Sequence, residues 1–181
     1  MPYTNFTPLD LFSDPKQMRE GAVHESGHTV VGLSLGFKLD YVALFDLKPV
    51  KPPGIGLPRA RTEWNPEEWA AKSSDAQATV IAAGMAGEIR ILDCISSQGC
   101  AEGDDSFELM RGCGSLICCY IGAALKILDR NFKAHDALAT TLFNRLRMQP
   151  HTGGRISGDE VWRIFNANEG QLIRLEELLS F

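Results

Sequence analysis

Apolar residues recur at helical spacing from the first strong start signal in the chain, Ser13-Asp14-Pro15. Asp14 or Ser13 can cap a helix there, and Pro15 suits its first turn. Met18, Ala22, Val23, Val30, Val31 and Leu33 predict a long, mostly buried helix that ends near Gly36, a residue able to take the left-handed conformation. Leu39 to Leu47 is rich in β-formers and predicts a strand, followed by a loop through Pro49, Pro52, Pro53 and Gly54. A second strand over Gly56 to Trp64 belongs at a sheet edge, because Pro58 has no amide to donate. Asn65-Pro66-Glu67-Glu68 opens a short helical turn, and Ser74 to Leu92 predicts a second long helix in which Gly84 and Gly87 permit close approach of a neighbour. After the loop Asp93 to Gly103, helices are expected from Asp104 or Asp105 to Arg111, Ser115 to Arg130 and Ala134 to Arg147. Ser157-Gly158-Asp159-Glu160 has the form of a capping box before another helix, and Gln171 to Leu179 extends the helical C-terminus. The fold class is α+β, mostly helical, with a small β-sheet inserted early.

The length of 181 residues fits one domain, and no repeat or linker divides it. A formal charge of -5 provides no basic field, which argues against nucleic acid as a partner. The longest apolar run, Leu116 to Leu125, is about half the ~20 residues a membrane span requires, so it predicts a buried helix. Met1 to Phe12 has no secretory pattern. The five cysteines Cys94, Cys100, Cys113, Cys118 and Cys119 contain no CxxC pair, which favours reduced thiols and a cytoplasmic location, with a Cys94 to Cys100 bridge as the alternative. Cys118 and Cys119 are expected as small buried residues of an apolar helix.

Chemistry enters with His24-Glu25-Ser26-Gly27-His28, an HExxH motif within the first helix. Histidines four apart lie on one helical face and can reach one zinc ion, while Glu25, rotated by about 100°, sits beside the ion and can act as a base. Four His and twelve Glu in the chain make a chance HExxH about a 0.6% event. A hydrolytic zinc site usually has a third protein ligand. His135 and His151 are weak candidates because each sits in a polar, exposed-looking segment. Glu88, a lone acid in an apolar helix, calls for a buried partner, and Asp104 and Asp105 are equally well explained as helix caps.

The order of HExGH in a long helix, a strand pair, Ala83-Gly84-Met85-Ala86-Gly87-Glu88 and Gly103-Asp104-Asp105 resembles the peptidase domain of the FtsH family of zinc metalloproteases. Ile156 to Val161 resembles that family's late Leu-Ser-x-x-Glu-Val helix start, so the likeness covers about residues 16 to 166. The resemblance implies a zincin-like single domain over 1–181 holding one Zn2+ per chain through His24, His28 and Asp105, with Leu109 four positions after that Asp. It further implies Glu25 as catalytic base, Glu88 as the group that holds a ligand imidazole, and Asp104 as a supporting neighbour. Gly56, Leu57, Arg59, Ala60 and Arg61 correspond to the substrate-binding edge strand. The family's ATPase module and membrane anchors have no counterpart here: no GxxxxGK[ST] sequence occurs, and Gly54-Ile55-Gly56 lacks a third glycine.

The expected function is therefore zinc-dependent endopeptidase action on unfolded or flexible polypeptides without ATP. The alternative is a non-catalytic zincin scaffold, or a proteolytic subunit acting through a separate ATPase. Polypeptides are the expected partners, with no membrane span, and a homo-oligomer is compatible with the sequence. Metal storage through the cysteines is poorly supported by their spacing.

Overall fold

The computed structural model describes residues 15–44, 60–93 and 116–178. Helix α1 (Pro15–Ser34) buries residues on almost every side, including Ala22, Val23, Gly27, Thr29, Val30 and Val31. It ends as expected at Gly36, whose φ of +73° lets Phe37 N donate to Gly32 O at 2.9 Å and Gly36 N to Leu33 O at 3.0 Å. Strand β1 (Leu39–Ala43) follows, then β2 (Arg61–Trp64) and the short helix α2 (Pro66–Ala70), capped by Asn65. Helix α3 (Ser74–Leu92) has the expected bounds. Ser73 Oγ accepts from Ala76 N at its start, and Asp93 stops it in the left-handed region at φ 56°.

Helices α4 (Ile117–Arg130) and α5 (Phe132–Met148) complete the helical layer around α1. α4 is less buried than expected. Tyr120, Ala123, Ala124, Ile127 and Leu128 face inward at the spacing of one stripe, which leaves Cys118 and Cys119 exposed rather than in the core.

The sheet has the order β2-β1-β3 and is antiparallel throughout. Val42 stands opposite Thr62 on one side and Ile156 on the other, with a bulge between Leu39 and Tyr41. The third strand, β3 (Ile156–Ser157), comes from late in the chain, so the sheet is not solely an early insertion. Ser157 also caps α6 (Gly158–Ala167), its Oγ accepting from Glu160 N; the Glu160 side chain turns to Arg145 instead of closing the reciprocal bond.

The expected helix over Gln171 to Leu179 is replaced, among the described residues, by a single 3-10 turn at Leu175–Glu177. Tertiary acceptors take its first amides: Gln171 N donates to Asn131 Oδ1 at 2.6 Å and Ile173 N to Ser34 O at 2.8 Å. Among the described residues no helix is long and apolar enough to cross a membrane. The expected helix from Asp104 to Arg111, together with Cys94, Cys100 and Cys113, lies outside the described residues.

Candidate metal centre

Helix α1 presents different stripes to different neighbours. His24, Gly27 and His28 face α3, where Gly27 brings the two backbones together: a Cβ on Gly27 would lie 2.4 Å from Ala83 O. On α3 the residues Val80, Gly84, Gly87 and Glu88 form the opposing stripe. The His28 Nδ1 atom lies 2.7 Å from Val80 O, and because a carbonyl only accepts, Nδ1 carries the proton. His24 Nδ1 lies 2.9 Å from Glu88 Oε1, the acid being wholly buried beside it. These contacts turn both Nε2 atoms toward one point, 3.0 Å apart.

With Nδ1 protonated on each ring, two neutral imidazoles would bring Nε2 lone pairs face to face, an arrangement that a shared cation stabilises. Two nitrogens on one tetrahedral ion at the usual ~2.0–2.1 Å lie about 3.3 Å apart, close to the separation found. Gly84 makes room for this arrangement: a Cβ there would lie 2.4 Å from His24 Nε2 and 2.5 Å from His28 Nε2. The ligand atoms of His24, Glu25 and His28 lie within 4.8 Å of one another, and the group could hold a metal ion. The donor set and the space left by Gly84 fit one.

A second stripe of α1, Glu25, Thr29 and Gly32, faces the sheet. Side chains alternate along β2, so Thr62 and Trp64 point to α1 while Arg61 and Glu63 point away and pair at 2.5 Å. Thr62 Oγ1 donates to Glu25 Oε2 at 2.6 Å. Trp64 fills the notch of Gly32, where a Cβ would meet its ring at 2.1 Å, and packs with Phe37 and Trp69.

His135 corrects the reading of α5 as exposed at that position, for it is fully buried. Its Nε2 lies 3.3 Å from Val23 O, next to His24 in the chain, and its Nδ1 lies 3.2 Å from Arg90 Nη1. The neutral ring satisfies both contacts by donating at Nε2 and accepting at Nδ1. Burial pushes its pKa down from 6.5 to about 4; the Val23 carbonyl opposes the shift, the Arg90 guanidinium adds to it, and Asp136 opposes it. Both nitrogens are engaged away from the His24–His28 pair, so His135 is tied to the helix pair rather than aimed at the metal position.

Of the residues expected at the site, His24, Glu25, His28 and Glu88 come together, and Ala60 and Arg61 stand at the start of β2. Asp104, Asp105, Gly56, Leu57 and Arg59 lie outside the described residues, as does the side chain of His151. Sequence reading missed Thr62 and the Val80 carbonyl; Gly84 was read as a place of close helix approach, and the structure shows that what approaches it is the pair of imidazoles. No family model and no curated protein sequence matches this chain.

Proposed function

We propose that the protein is a zinc-dependent endopeptidase of the HExxH type, with a zincin-like fold, that cleaves unfolded or flexible polypeptides without ATP. The observation that carries the reading is the convergence of His24 Nε2 and His28 Nε2 with the Glu25 carboxylate beside them. His24 and His28 would hold the ion, and Asp105 is the proposed third ligand. Zinc, when bound, supplies a Lewis acid that acidifies water and polarises a carbonyl. Glu88 and the Val80 carbonyl hold the two imidazoles in the tautomer that directs Nε2 inward. Glu25 takes a proton from the attacking water on its carboxylate and returns it to the leaving amine nitrogen. At the end of the sheet among the described residues, β2 offers backbone groups to which an extended substrate can add as a further strand.

The test is digestion of casein by the zinc-loaded chain, with and without chelator and beside Glu25→Gln. That variant keeps size and hydrogen bonding but is a poor base, so hydrolysis falls by about 10²-fold or more with zinc content unchanged. ATP leaves the rate unaltered. Wild-type rates in Glu25→Gln would overturn the mechanism, and chelator-resistant cleavage would remove the metal from it.

A further inference from the structure

Resting on that reading, we propose that Thr62 is a positioning residue that holds the Glu25 carboxylate toward β2, keeping it in place as the base and out of the metal's coordination shell. Glu25 is only 5% exposed, and its carboxylate lies close enough to both imidazoles to join them around an ion. What separates a base from an additional ligand here is therefore how the carboxylate is oriented. The Thr62 hydroxyl is placed for this task, 2.6 Å from Oε2.

The neighbouring hydroxyl does not substitute for it. Thr29 Oγ1 donates its single proton to Glu25 O at 2.7 Å, so toward Thr62, 3.4 Å away, it can only accept. Thr62 is itself held from both sides. Its backbone stands opposite Val42 in the sheet, and Trp64, on the same face of the strand, is seated at Gly32 of α1. The strand that would receive an extended substrate and the orientation of the base are thus joined by one side chain.

Thr62→Val removes the hydroxyl at nearly constant shape and suits a strand, and Thr62→Ser keeps the hydroxyl. Co2+ titration followed in the visible region is the readout that does not depend on hydrolysis. In Thr62→Val the carboxylate loses the hydroxyl that draws it toward β2 and turns to the ion, the Co2+ bands change and binding tightens severalfold. Thr62→Ser keeps the wild-type spectrum, and the Thr62→Val, Glu25→Gln double variant loses the change. With casein as substrate, Thr62→Val lowers kcat about tenfold and leaves KM within twofold, and Thr62→Ser restores kcat. A Co2+ spectrum unchanged in Thr62→Val, or changed equally in the double variant, overturns the proposal. If the spectra behave as stated but the wild-type chain cleaves nothing, the positioning role stands and the endopeptidase reading fails.

Discussion

Gly84→Ala tests the centre by adding one methyl group. The new carbon would stand 2.4 Å from His24 Nε2 and 2.5 Å from His28 Nε2, roughly 1 Å inside ordinary van der Waals contact. Metal–ligand distances tolerate only about ±0.2 Å, so displacing the rings by even half that overlap takes both nitrogens out of range of one ion. The rings cannot turn aside cheaply, because their Nδ1 atoms are held by Glu88 and by Val80 O. Helix propensity acts the other way: Ala in place of Gly within α3 favours the helix by about 1 kcal/mol, which offsets part of the ~1–3 kcal/mol of overpacking. The apoprotein should therefore melt within a few degrees of wild type while zinc affinity falls by about 100-fold, the upper range for disturbing groups that orient ligands. Competition against a chromophoric chelator measures the affinity, and circular dichroism follows the melt. Gly122→Ala is the control: among the described residues nothing lies within 4 Å of a Cβ at that site on α4, so the helix gains stability and metal binding stays constant. Zinc affinity within threefold of wild type in Gly84→Ala would falsify the convergence of the two imidazoles on one ion.

His135 predicts a dependence of stability on pH. With its pKa at about 4 folded and 6.5 unfolded, the unfolded chain binds the proton first as pH falls, so the stability contributed by the neutral ring is complete above 6.5 and is lost toward 4. Relative to His135→Gln, wild type should lose about 2 kcal/mol between pH 7.5 and pH 5 in urea unfolding of the apoprotein, and parallel pH profiles for the two would refute a buried neutral ring. For the third ligand, Asp105→Ala should remove most of the zinc and Asp104→Ala little of it, as read by elemental analysis, and equal zinc content in the two variants would reject Asp105.

Elements whose signals are local were legible in the sequence. The bounds of α3 follow from Ser73 at its cap and the end of its apolar run, and α1 ends at Gly36 because a left-handed residue is needed there. Elements that depend on distant partners were not. β3 is two residues long and exists because Tyr41 and Val42 offer it a ladder. The C-terminal amides bond to Asn131 and Ser34 instead of continuing a helix. His135 looked exposed because Lys133 and Asp136 flank it, although Leu138 and Leu142, three and seven positions on, already marked the buried face of α5. At the site, the HExxH spacing reveals the two imidazoles and their neighbouring carboxylate. Of the groups that aim them, Glu88 stands out already as a lone acid in an apolar helix, whereas Val80 O and Thr62 become visible only when three elements are brought together.

That dispersion bears on when the proposed centre could take up an ion during folding. The contacts that orient the site span 64 residues for His24 to Glu88, 52 for His28 to Val80 and 37 for Glu25 to Thr62. A nascent α1 already carries both histidines, yet until α3 docks the rings turn freely and hold a metal no better than a pair of imidazoles on a peptide. Tight uptake by the proposed centre would thus be a late event that reports completed assembly of α1 against α3. Free zinc at a hundred times its dissociation constant adds about 2.7 kcal/mol to the stability of the assembled state alone. If the centre holds zinc as proposed, chelation should accordingly lower the stability of the assembled state by that amount, and the loss should fall on the packing of α1 against α3.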